Sequence, residues 1–451
     1  MKILVLMLSF FLPVSIAGME LFGWLTALLA LILFGLRPLL LKLKSGGDPK
    51  TRVHLVHRVL CGLREISVGP DGALWGLWLI AALGVYVNGN SETDGLYVIG
   101  NFRWIILLYG YSLAWKSLIA YRSDEEKSEK PTLLKPSFNF ITTFIWVLTP
   151  VLLIVSLYGI LQSFTGIDLI RPGREVHSLH LAGIQIFRAS GFFNNPMTYA
   201  HLFVMWFCVI LGLIFVADLP RQQKNWLKLV AVVVGLGLFL SLIRGVWISG
   251  TVSVMVMLWF WRRRAFYRGA LAVAIVLGFS LAFVPPVRER VVSIFGTQNI
   301  ENRDRVTLWA ANWEIFKDYP LLGIGYTENE RRIGEYYERM GITDGFHGHA
   351  HNVYLQFLAG TGLLGLCCYL FFIGYFMLLA LRLWRKLPLD QSWARALALG
   401  ALGAQISLHV GGLTQNNFSD GEVTHNFIFI LALLVALAQK HLKVLSRETG
   451  S

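Results

Sequence analysis

Residues 227–264 read LKLVAVVVGLGLFLSLIRGVWISGTVSVMVMLWFWRRR. At about 1.5 Å per residue, one helix over the apolar part of this stretch would far exceed the ~30 Å hydrocarbon core of a bilayer. The stretch therefore predicts two membrane-spanning helices, 227–243 and 245–261, with a tight turn at Arg244 between them. Working outward, apolar blocks recur near 3–18, 20–41, 73–88, 97–120, 138–163, 197–218, 269–284, 352–381, 394–412 and 423–440. About twelve transmembrane helices follow, and with them an all-α, polytopic integral membrane protein read as a single domain over 1–451.

The composition agrees. Of 451 residues, 55% are hydrophobic and only 15% charged, where a soluble domain carries about a quarter. The net charge of +13 fits the excess of Lys and Arg that membrane proteins keep in cytoplasmic loops, and no nucleic-acid partner is expected. The four cysteines, Cys61, Cys208, Cys367 and Cys368, form no CxxC pair and suggest neither a disulfide framework nor a zinc site. Residues 1–18 read equally as a secretory signal or as a short first span.

The connections alternate in charge. One set carries Lys42, Lys44, Lys50, Arg52 and Arg58, then Arg122, Lys127, Lys130 and Lys135, then Arg221, Lys224 and Lys228. It continues through Arg262, Arg263, Arg264 and Arg268, then Arg382, Arg385, Lys386 and Arg395, to Lys440, Lys443 and Arg447. The positive-inside rule makes this set cytoplasmic. The turn 89–96, the loop 164–196, the turn at Arg244, the long segment 285–350 and the loop 413–422 then lie outside. Within 285–350, Val306, Trp309, Trp313 and Phe316 recur at helical spacing, and Gly323-Ile324-Gly325 ends that helix. The helix is expected either to lie along the membrane surface or to belong to a small subdomain packed on the bundle.

Three stretches converge on the outer side: Arg188-Ala189-Ser190-Gly191 before a span, Ser241-Leu242-Ile243-Arg244 at the helix turn, and His347-Gly348-His349-Ala350-His351-Asn352 before another span. Arg188, Arg244, Arg303 and Arg305 are the candidates for holding a diphosphate, because a guanidinium forks onto phosphate oxygens and stays charged. The blander readings are a snorkelling Arg244, a loop ion pair for Arg188, and pairing of Arg303 and Arg305 with Glu301 and Asp304. The alternating histidines could bind a metal, but no cysteine completes a ligand set. One histidine acting as general base fits better, and His351, nearest the apolar span, is the choice. His349, Asn352, Asp420 and Glu422 are possible supporting residues, the two acids orienting the base, binding a sugar hydroxyl, or favouring a helix N-terminus.

The string His351-Asn352, nine residues, then Gly362-Leu363-Leu364-Gly365 is similar to the His-Asn-x9-Gly-x-x-Gly signature of O-antigen ligases. Arg188 before Ser190-Gly191-Phe192, Arg244 after Ser241, and Arg305 before Trp309 with Gly323-Ile324-Gly325 resemble the same superfamily, which also holds O-antigen polymerases. The resemblance runs from about 185 to 425. It implies a membrane-embedded fold of the GT-C type and an inverting, metal-independent glycosyltransferase without cofactor. The implied donor is a polysaccharide on undecaprenyl diphosphate. The implied acceptor is a hydroxyl of the lipid A core oligosaccharide, at an inner-membrane site facing the periplasm. A polymerase using the same donor, or a transporter of lipid-linked glycan, are the competing readings.

Overall fold

The computed structural model describes residues 1–36, 66–88, 100–128, 140–294, 296 and 300–448. The basic run Lys42 to Arg58, Cys61, the turn 89–96, Lys130 and Lys135 lie outside the described residues. Within the described residues the apolar blocks of the sequence fall on helices. In chain order these are α1 (Lys2–Phe11), α2 (Ile16–Ala30, continued as a π-turn to Leu36), α3 (Asp71–Asn88), α4 (Trp104–Ser128) and α5 (Phe140–Thr165). They continue as α6 (Pro196–Val216), α7 (Arg221–Leu240), α8 (Arg244–Trp261) and α9 (Arg263–Phe283). After a surface unit of α10 (Pro285–Val292), α11 (Ile300–Asp318), α12 (Glu328–Arg331) and α13 (Ile333–Arg339), the bundle closes with α14 (Val353–Lys386), α15 (Ser392–Gly411) and α16 (Gly421–Glu448).

Eight of the described helices are long and apolar enough to cross a membrane, so the chain is an all-α, multi-pass membrane protein. At ten residues α1 reaches only about 15 Å, half a bilayer core, so the block 3–18 is not one continuous span. The buried centre is formed by α4, α6, α15 and α16, with Trp115, Trp206, Tyr111 and Phe427 fully enclosed. By contrast α9 buries no residue and exposes Leu271, Ile275, Phe279 and Phe283, as a helix bathed by lipid does.

Two details differ from the sequence reading. The loop 164–196 contains a hairpin, β1 (Ser178–Leu181) against β2 (Ile184–Phe187). Helix α11 turns Leu308, Ala311 and Ile315 inward, onto Ile324, Ile333, Tyr336 and Tyr337, whereas Val306 and Trp313 are exposed. Of the face picked from the sequence, Val306 and Trp313 thus point outward while Trp309 and Phe316 are half-buried, and the helix belongs to a small unit packed on the bundle.

That unit meets α14 along a seam of glycines. α14 is broken at Gly362 (φ 65°, ψ −169°), a conformation essentially reserved for glycine. The break frees Leu363 N–H to bond Pro320 O at 2.9 Å, while Ile324 and Gly325 N–H bond Ala359 O and Gly360 O. A Cβ on Gly362 would sit 2.3 Å from the Leu321 carbonyl, and one on Gly323 2.4 Å from the Gly360 carbonyl carbon. Gly362→Ala should therefore cost at least roughly 1–3 kcal/mol and lower the unfolding temperature of the purified protein. Gly278→Ala, in open space on α9, should stay within about 0.5 kcal/mol of the native chain. Equal unfolding temperatures for the two variants would refute the seam.

Candidate active site

The helices run alternately, so Arg188, the turn 241–244, the histidine loop and Asp420 collect at one end of the bundle. The basic stretches at Arg221, Arg262–Arg264 and Lys386 lie at the ends of α7, α8, α9 and α14 remote from it. The Ser241–Arg244 turn is the focus. Leu242 is left-handed (φ 57°), which exposes carbonyls that regular helix would use. Arg188 Nε donates to Ser241 O at 3.1 Å and Arg290 Nε to Leu242 O at 3.1 Å. Arg244 donates to Ser293 O at 2.6 Å, to Glu301 at 2.8 Å and to Asn302 at 2.9 Å. Glu301 also takes Arg290 at 3.3 Å.

Arg188, Arg244 and Arg290 are each buried. Burial, with Arg290 next, pushes the Arg188 guanidinium down to about 10, so it stays charged at neutral pH. Burial also lowers Arg305. Burial alone would raise the Glu301 carboxyl, but Arg290, Arg244, Arg305 and Arg188 outweigh it and hold the group below its ordinary value. Arg188 Nη2 is buried without a hydrogen-bond partner. Charged donors buried in excess of their acceptors are the makings of an anion site.

A cavity of about 460 Å³ opens beside this cluster. Arg244, Arg303 and Arg305 line it together with Ile248, Ile294, Val306 and Trp309, so it is cationic and apolar at once. A second cleft of about 20 Å³ lies between Arg244, Arg290, Arg305, Glu301, His201 and Gln415. His201 receives no solvent there. Its Nδ1–H donates to Met197 O at 2.9 Å, and its Nε2 is buried and unpartnered.

His351 sits beside this cleft. Its backbone is left-handed (φ 46°), unusual for a residue with a side chain. Three contacts fix it: Ala350 N–H donates to Gln356 Oε1 at 3.0 Å, His351 N–H to His349 Nδ1 at 3.1 Å, and Asn352 caps α14 by accepting from Tyr354 and Leu355 N–H. The His351 ring bonds Gln415 Oε1 through Nδ1 at 2.7 Å, which leaves Nε2 as the bare acceptor. Burial lowers its affinity for a proton, opposed by the Gln415 bond. Burial and the neighbouring His351 ring push His349 down to about 4. The two rings lie 4.2 Å apart, while His347 packs edge-on against Tyr337.

The sequence-chosen residues divide as follows. Arg188, Arg244 and Arg305 meet around Glu301, and His351, His349 and Asn352 meet beside them. Arg303 lines the large cavity but is exposed. Asp420 bonds Thr198 and caps α16 through Val423 N–H, with Glu422 in its first turn; Gln415 holds the histidine. Arg290, Gln415 and His201 were not singled out. Arg290 carried a signal, being a basic residue on a side where few are expected; the other two carried none.

The fold and this site define a multi-pass membrane protein with a cluster of buried arginines beside a cavity at one end of its bundle. Residues 229–370, about a third of the chain, match the family model described as O-antigen ligase, so this stretch is similar to that family. The match covers α8 and its turn, Arg290, Glu301, Arg305, His351 and the glycine seam. No curated protein matches the chain.

Because the Glu301 carboxyl is held below its ordinary 4.5, its stabilising contribution is present at neutral pH and lost as pH falls below 4.5 through the folded-state value. Glu301→Gln should unfold more readily than the native chain at pH 7, and the difference should close in acid. A gap that persists unchanged at low pH would assign the effect to packing.

Proposed function

We propose that this chain is an O-antigen ligase: an inverting, metal-independent glycosyltransferase in the inner membrane, its site facing the periplasm. It moves a polysaccharide from undecaprenyl diphosphate to a hydroxyl of the lipid A core. The observation that carries the reading is the cluster of buried guanidiniums, one with an unpartnered N–H, opening onto a cavity walled by Ile248, Val306 and Trp309. A lipid diphosphate has that same pairing of anion and hydrocarbon.

In the reaction, the acceptor oxygen attacks the anomeric carbon as the bond to the diphosphate breaks. The arginines take up the charge the leaving diphosphate gains. His351 Nε2 accepts the hydroxyl proton. Asn352 holds the loop, and Asp420 and Glu422 lie at the mouth of α16, where they bind sugar hydroxyls. The lowered His351 pKa keeps the base free at neutral pH, so the acidic limb of the rate profile should fall below the ordinary histidine value of about 6.5.

His351→Ala should cut transfer by purified protein about 100- to 10,000-fold without lowering its unfolding temperature. Arg188→Lys and Arg244→Lys should also lose most activity, because an ammonium keeps the charge but cannot present the planar two-point fork of a guanidinium. Near-native turnover in His351→Ala would remove the base, and in both lysine variants the diphosphate site.

A polymerase would use the same donor and differs in its product. A deletion strain is expected to accumulate intact glycan chains on the lipid carrier, with lipid A core left bare. Single repeat units on the core instead would assign the chain to polymerisation.

A further inference from the structure

Gln415 stands between the two halves of the site. Its Oε1 accepts the His351 Nδ1 proton at 2.7 Å. The same side chain lines the small cleft bounded by Arg244, Arg290 and Arg305. Its Nε2 makes no hydrogen bond among the described residues. A primary amide is planar and presents an acceptor and two donors at once.

We infer that Gln415 is a positioning residue that couples the donor's diphosphate to the base: its carbonyl oxygen orients His351, and its amide N–H takes a phosphate oxygen in the arginine cleft. This rests on the reading of His351 as the base. An aspartate or glutamate would orient an imidazole equally well, but not here. A carboxylate beside Arg305 and Arg290 would pair with them, repel the incoming diphosphate, and raise the histidine pKa so that the base is protonated at neutral pH. The amide accepts from the ring without adding charge, and it donates where the anion arrives. Bound phosphate polarises the amide and strengthens its carbonyl as an acceptor, so the imidazole is held most firmly when the donor is in place.

The position of Gln415 supports the assignment. It follows the turn at the end of α15, where Gly412 O accepts Val353 N–H at 2.8 Å and Leu413 O accepts Asn352 Nδ2 at 3.0 Å. The loop that carries Gln415 is thus bonded twice to the loop that carries His351, and its side chain has little freedom to miss the ring.

The test uses the full-length protein in nanodiscs, with Gln415→Glu and Gln415→Met beside His351→Ala. Gln415→Glu should move the acidic limb of the pH–rate profile upward by about one unit or more, a change that loosened packing does not produce. Gln415→Met, similar in volume but without polar atoms, should keep its unfolding temperature, lose turnover about 10- to 100-fold, and bind inorganic diphosphate several-fold more weakly. An unmoved limb in Gln415→Glu, or native diphosphate affinity in Gln415→Met, overturns the coupling. If Gln415→Glu does not fold, the Gln415→Met affinity and turnover decide alone. His351→Ala separates the two levels: inactive His351→Ala with native-like Gln415 variants sinks the coupling alone, and active His351→Ala sinks the base.

Discussion

The site depends on one arrangement, three buried guanidiniums strapping a left-handed turn. With Leu242 at φ 57°, the chain between α7 and α8 leaves the carbonyls of Ser241 and Leu242 without helical partners. In a low-dielectric bundle an unmet carbonyl is costly, and so is an unpaired cation. Arg188 and Arg290 answer both needs by donating to those carbonyls, and Arg244 reaches across to Ser293. Glu301 then ties Arg244 and Arg290 together. Asn302 stands beside it, donating to Ser293, Ile294 and Gly296 O. The surface unit is therefore docked on the bundle by the same groups that make the end of the bundle cationic. Like charges are held close by acceptors that cannot themselves be protonated away near neutral pH.

A second constraint places the histidine. The glycine seam brings α11 to α13 onto the first part of α14, and a chain of amides continues the contact inward. Asn329 donates to Asn312 at 2.7 Å. Gln356 exchanges bonds with Asn329, donates to Glu330 at 2.8 Å and accepts from Ala350 N–H. Burial raises the Glu330 carboxyl to about 7, and the Gln356 bond opposes that rise. The left-handed backbone at His351 costs on the order of 1–3 kcal/mol, and it persists because the residues before and after it are both bound.

Much of this was legible because lipid permits few structures. Backbone groups in a bilayer must bond internally, so each apolar block had to be a helix, and charge alternation gave their order of ends. The histidine and the arginines at 188, 244 and 305 stood out as costly residue types beside apolar spans. What stayed hidden depends on three-dimensional meeting. Helix α11 buries Ala311 and Asn312 with Leu308 and Ile315, because its partner is a close-packed protein surface, while Trp313 faces out. The hairpin turns at Ala182 and Gly183, both at positive φ; alanine at the first position erases the Asn-Gly signal of such a turn. Gln415, an ordinary polar residue in a polar loop, gains meaning only through the ring 2.7 Å away.

The two walls of the large cavity narrow the class of ligand. A free phosphate or nucleotide would be held by cations and backbone donors, and an apolar wall would add only the cost of removing water from it. Here Ile248, Ile294, Val306 and Trp309 stand directly beside Arg244 and Arg305, and Val306 is left 61% exposed on a helix whose other face is packed. Apolar surface kept open beside buried charge is stable in a membrane only where hydrocarbon reaches it. The ligand that suits both walls carries its anion at the head of a lipid chain. The lipid diphosphate proposed as donor has that pairing of anion and hydrocarbon.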